Sequence, residues 1–160
     1  MDYYHIAQIC LNGHMINDAA DENGERNKNY CPECGEKTIT ACPFCGAYIH
    51  GDYHVDGVVF LGGDTSVDAY CYSCGKPYPW TSSAIKAMIA LVSEEESISD
   101  IERHNIIETI PDLISETPMT NLASVRMKKC LLKVGKITAE AIRQFAIDFG
   151  CEAFKKSIGL

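Results

Sequence analysis

Along the first half of the chain, apolar and polar positions alternate over a few residues at a time and never settle into a long period. Short runs rich in β-branched and aromatic residues, at 38–40, 47–50, 55–61 and 67–72, are separated by turn residues such as Asp56-Gly57 and Gly62-Gly63-Asp64. That pattern predicts short hairpin strands. Pro77 and Pro79 close the region, and from Thr81 onward the apolar positions recur about every 3.6 residues, the helical period. Ile85, Met88, Ile89 and Val92 then share one face of a helix capped by Thr81 or Ser82. Ser99 and Glu102 read as a capping box that opens a second helix to about Ile110. Pro111 should break that helix, because it has no N–H and crowds the carbonyl of Ile107. A third helix is predicted over 121–134, ending at Gly135, and a fourth behind Thr138 with Ile142, Phe145, Ala146, Phe149 and Ala153 on one side. The expected fold is α+β: two small β-hairpin modules, about 1–40 and 41–80, followed by an α-helical bundle over 81–160.

The hairpin half carries the chemistry. Cys-x-x-Cys-Gly occurs three times, as Cys31-Pro32-Glu33-Cys34-Gly35, Cys42-Pro43-Phe44-Cys45-Gly46 and Cys71-Tyr72-Ser73-Cys74-Gly75. This spacing lets two thiolates face one ion while the glycine takes the positive φ at which the chain turns back. Cys10-Leu11-Asn12-Gly13-His14 supplies a fourth half-site in which an imidazole replaces one sulfur. Four half-sites make eight ligands, enough for two structural zinc ions per chain with none left over. Sequential pairing joins Cys10, His14, Cys31 and Cys34 in one site and Cys42, Cys45, Cys71 and Cys74 in the other. A cross-brace would pair the first half-site with the third and the second with the fourth. The hairpin-like stretch between Cys45 and Cys71 favours sequential pairing, because it returns the chain to its own knuckle. A four-thiolate site also accepts iron. The competing reading is a thioredoxin-like redox pair, which rarely needs three copies, or scattered core thiols, which would not repeat the glycine.

Ile9 to His14, Tyr30 to Gly46, Tyr53-His54-Val55 and Ala69 to Thr81, with its Cys71-Tyr72-Ser73-Cys74-Gly75-Lys76-Pro77-Tyr78-Pro79-Trp80 run, together resemble an uncharacterised bacterial family of tandem zinc-ribbon proteins. The resemblance covers the first half closely and the helical half loosely. It implies tandem ribbons, zinc and a bacterial cytoplasmic setting, and no activity.

Composition narrows the function. The chain has 160 residues, 46% hydrophobic and 22% charged, which suits one ordinary domain or two small ones and argues against disorder. The N-terminus lacks the basic and apolar regions of a secretory signal, and residues 84–92, the longest mainly apolar stretch, fall far short of the ~18 that span a bilayer. A soluble cytoplasmic protein is expected, with no transmembrane segment. The formal charge is -8, unevenly spread: residues 1–81 hold four bases against eleven acids, and residues 120–160 eight bases against three. Seven ligand thiolates and two divalent ions would lower the total by three more, so phosphate is repelled from the first half.

Outside the cysteines, Trp80 is a candidate contact residue, either an exposed stacking platform or, on the favoured reading, a plug between knuckle and helix. Arg126, Lys129, Lys133 and Lys136 predict a basic stripe on the third helix, for an anionic surface or, as favoured, a solvated or internally paired face. His50 and His54 are read as surface histidines, and Cys130 and Cys151 as core residues on apolar helix faces. No phosphate loop, nucleophile elbow or His-Glu-x-x-His helix is present. The favoured function is a non-enzymatic adaptor or regulator that binds another protein. The alternatives are a nucleic-acid-binding accessory factor using the basic helix, and a peripheral membrane or effector module acting through the C-terminal helices.

Overall fold

A computed structural model describes residues 1–59 and 65–160. The chain divides into two compact units, Met1–Ser82 and Ser83–Leu160. The first is built from short antiparallel strands and the second from helices, an α+β arrangement.

In the first unit, β1 (Tyr3–Ile6) pairs antiparallel with β5 (His50–His54), with a bulge between Tyr4 and Ile6. A three-stranded sheet places β2 (Gln8–Cys10) between β3 (Met15–Asn17) and β4 (Thr38–Ile39). The β2–β3 hairpin turns over Leu11 to His14, and β4 returns after the first Cys-x-x-Cys turn to pair Ile39 with Ile9 and Thr38 with Cys10. Cys10 thus ends the central strand, opposite Thr38 of β4. The predicted strand at 55–61 is not formed where it is described: β5 ends at His54 and a turn follows at Asp56-Gly57. Its remainder and the Gly62-Gly63-Asp64 turn lie outside the described residues. At 67–72 there is no strand, only a bridge between Tyr70 and Pro77 that closes a knuckle. Ala7, Ile9, Cys42, Ile49, Cys71, Tyr78 and Trp80 form one buried cluster.

Five helices follow: α1 (Pro79–Ser93), α2 (Asp100–Thr109), α3 (Thr120–Leu131), α4 (Lys136–Phe149) and α5 (Glu152–Ser157). The first begins at Pro79, earlier than the cap at Thr81 or Ser82 predicted. Proline tolerates the first helical turn, where its missing N–H has no partner to lose, and the Thr81 hydroxyl instead donates to the Ala69 carbonyl at 2.7 Å. The Ser99–Glu102 capping box closes in both directions, and α2 stops at Thr109, ahead of a 3₁₀ turn that contains Pro111. α3 ends at Leu131, short of the predicted Val134, and Gly150 leaves helical geometry and divides the predicted fourth helix into α4 and α5. Met88, Val92, Ile106, Leu113, Met127, Ile142 and Phe154 are among the buried residues of this unit.

Candidate metal centre

The three Cys-x-x-Cys-Gly segments fold as the same knuckle. In each, the glycine N–H donates to the carbonyl of the first cysteine, at 2.9, 2.9 and 2.8 Å for Gly35, Gly46 and Gly75. The first cysteine's N–H donates in turn to the carbonyl after the glycine: Cys31 to Glu36, Cys42 to Ala47 and Cys71 to Lys76. The three glycines have φ of 75°, 76° and 69°, a left-handed conformation that explains their recurrence one place after the second cysteine. The fourth half-site is built differently. Gly13, at φ 92°, turns β2 into β3, and the His14 N–H donates to the Cys10 sulfur at 3.3 Å.

These turns collect two four-residue groups: Cys10, His14, Cys31 and Cys34, and Cys42, Cys45, Cys71 and Cys74. The grouping is sequential, not cross-braced. In the first, Cys10 Sγ lies 3.7 Å from Cys34 Sγ, and His14 Nδ1 lies 3.5 Å from both Cys10 Sγ and Cys31 Sγ. In the second, Cys42 Sγ lies 3.8 Å from Cys74 Sγ and Cys45 Sγ lies 3.7 Å from Cys71 Sγ. A tetrahedral zinc ion with usual bond lengths requires edges of about 3.8 Å between sulfurs and about 3.6 Å from sulfur to nitrogen. The donor atoms therefore fit a tetrahedral ion in both groups, each of which could hold one metal.

The surroundings favour the thiolate at two of the sulfurs, Cys34 and Cys71, and oppose it at two, Cys10 and Cys74. Cys74 is pushed up to about 11, against the Lys76 N–H, by burial and by its neighbours Cys45, Cys71 and Cys42. The Glu36 N–H, facing Cys34, is the main cause that holds its thiol down to about 6. The Cys74 N–H does the same for Cys71, also to about 6. Such amide donors favour the thiolate, the form that binds metal. Burial acts the other way on Cys10 and raises it. Burial also raises the Tyr78 phenol, with the neighbouring Cys71 as the next cause. Tyr78 is buried in one cluster with Cys42 and Cys71 of the second group, and in the first group the Glu33 carboxylate lies 3.7 Å from His14 Nε2, the nitrogen turned away from the sulfurs. A carboxylate on the far nitrogen orients a ligating imidazole. Neither placement is visible in the spacing of the cysteines, although Glu33 stands between two of them.

The other candidate residues are placed as follows. Trp80 is no stacking platform: it is 3% exposed, lies parallel to Tyr78 at 4.6 Å between ring centres, and donates its indole N–H to the Asp68 carbonyl at 2.9 Å. The basic stripe is not one helix face, because α3 ends before Lys133 and Lys136 begins α4. Arg126 donates to the Asn105 carbonyl at 3.2 Å, Lys133 pairs with Glu102, and Lys136 is 3.9 Å from Glu140. Arg126, Lys129 and Lys133 line a cleft of about 210 Å³ that also contains Glu102 and the buried Cys130. Cys151 is half-buried and precedes α5, where no helix face includes it. His54 faces Asp56 at 3.3 Å. His50 stacks between Tyr4 and Tyr72. His5, for which the sequence offered no role, is 6% exposed, with Asp21 and Glu22 carboxylates 3.4 Å from its two ring nitrogens.

Among the described residues, no helix is long and apolar enough to cross a membrane. Comparison with protein families finds one whose description reads "Uncharacterized protein conserved in bacteria (DUF2321)", matching residues 3–158. No curated protein and no solved structure matches the chain.

Proposed function

The chain belongs to that bacterial family, and we propose that it is a zinc-binding adaptor or regulatory protein of the cytoplasm, non-enzymatic, that acts by contacting another protein through tandem zinc ribbons. One observation carries the reading: each ligand group supplies four protein donors at tetrahedral spacing. Such a set leaves an ion no open position for water or substrate, which is the mark of structural rather than catalytic zinc. Thiolate and imidazole donors suit zinc, and in a reducing compartment paired cysteines serve metal before disulfides. The ions would then supply folding energy that sheets of two and three short strands lack. The acidic first half favours a basic or polar protein partner over nucleic acid, and the internal bonds of Arg126 and Lys133 leave less of the basic segment free for phosphate.

Native mass spectrometry of the protein, purified gently from its own host and paired with elemental analysis, tests this reading. Two zinc ions per chain and a co-purifying protein of defined mass are expected. Fewer than two ions, iron in place of zinc, or a metal-dependent turnover of a small molecule would overturn it.

A further inference from the structure

The first unit carries an aromatic surface for which metal binding gives no reason. Tyr53, Tyr4, His50 and Tyr72 form a ladder of rings, with centres 4.6, 4.2 and 4.0 Å apart in that order. The last two steps are nearly parallel, at 7° and 14°. The rings come from β5, β1, β5 again and the Cys71–Cys74 knuckle, so the ladder is held by strand pairing at one end and by the metal-site turn at the other. Its tyrosines nevertheless remain open to solvent, Tyr4 at 51%, Tyr53 at 42% and Tyr72 at 59% exposure. Large rings ordered against one another yet left at the surface mark a contact site.

Charge and ring chemistry indicate what makes the contact. Neither β1 nor β5 contains Lys or Arg, while Asp2, Asp52 and Asp56 flank or interrupt them, in a half with four bases against eleven acids. Such a surface draws cations and repels phosphate. Tyrosine faces attract cations through the ring quadrupole, and a guanidinium, planar and weakly hydrated, can also lie flat on a ring at either end of the ladder, Tyr53 or Tyr72, whose position the inner stack of Tyr4 and His50 fixes. The unit already contains such a pair, with Lys76 Nζ 4.7 Å from the centre of the Phe44 ring. We propose that the Tyr53–Tyr4–His50–Tyr72 ladder is the docking face for an arginine-rich segment of a partner protein. The proposal rests on the adaptor reading and names the chemistry of its partner. Nucleic-acid bases also stack on tyrosine, but their backbone would meet the acidic surface.

The test uses the full-length zinc-loaded protein and three fluorescent probes: octa-arginine, octa-lysine and a single-stranded thymidine oligonucleotide. Octa-arginine should bind more tightly than octa-lysine at equal charge, and the oligonucleotide should not compete. Tyr4→Leu and Tyr72→Ala should each weaken octa-arginine binding by roughly two- to five-fold with the zinc content unchanged. Equal binding of the two peptides, variants that bind octa-arginine like the parent, or an oligonucleotide held through the same tyrosines would overturn the proposal. A natural partner retained in full by both variants would overturn this face and leave the adaptor reading standing. The absence of a partner would count against the adaptor reading, while the peptide comparison would still read the face.

Discussion

Trp80 shows how one side chain can be structurally decisive without reaching the surface. Its ring is covered by Tyr78, and its N–H donates to the Asp68 carbonyl. It also bounds Gly13, where a Cβ would come 3.0 Å from the Trp80 Cβ, so the turn that presents His14 lies directly on this ring. Trp80→Ala should destabilise the zinc-loaded protein by about 3–5 kcal/mol, as expected for a large aromatic removed from a core. Trp80→Phe, which keeps a ring but loses the donor to Asp68, should cost less, with about 1 kcal/mol for the lost hydrogen bond. Urea unfolding followed by circular dichroism checks both, and an alanine variant within 1 kcal/mol of the parent would show that the ring is not part of the core. The two four-residue groups were legible from sequence, because metal coordination would demand fixed residue types at fixed spacing. Glu33 and Tyr78 were not, because a supporting group needs only to reach its ligand and carries no spacing rule.

Among the elements, α2 is the one whose start and end both follow from local chemistry. Glu102 returns the Ser99 cap and also pairs with Lys133, and it is held down to about 2 from an ordinary 4.5, first by Lys133 and then by the Ser99 N–H. A carboxyl lowered in the folded state contributes stability that is complete above the unfolded value and lost as pH falls from 4.5 through 2. Glu102→Gln preserves the capping geometry while removing the charge. The variant should therefore melt below the parent at pH 7, and the gap should narrow as pH falls under 4.5 and close only below about 2, once the parent carboxyl is protonated as well. A gap that stays constant with pH would exclude the charge as its cause. One capping box, the prolines and 3.6-residue apolar spacing made the helices readable, whereas the strands were readable only as hairpin tendencies. Nothing near Tyr3 announces that β1 pairs with β5, whose residues lie more than forty positions away. A strand of three or four residues takes its partner from tertiary packing, and at 67–72 knuckle formation left only the Tyr70–Pro77 bridge in place of a strand.

At the scale of the molecule, zinc in both ligand groups would give the two units different sources of stability. Met1–Ser82 holds both ligand groups, while Ser83–Leu160 has a buried helical core and no such group among its described residues. A zinc chelator at neutral pH should accordingly abolish hydrogen-exchange protection at the amides of Cys31, Cys42 and Cys71 and leave Ile106, Met127 and Ile142 protected. Simultaneous loss in both sets would mean that the helices also depend on metal. The buried cluster of the first unit sharpens this picture, since it joins Ala7 and Ile9, which lead into the first ligand group, to Cys42, Cys71 and Tyr78 of the second. Whichever ion arrives first orders part of the packing that the other needs, so the second should bind more tightly, by the five- to 150-fold typical of coupled sites. During a zinc titration followed by native mass spectrometry, empty and doubly loaded chains should then dominate, and a large singly loaded population at the midpoint would show that the sites are independent. Cooperative loading would make the folded fraction rise over a narrow interval of free zinc, so that the availability of the protein to a partner follows the metal supply as a threshold.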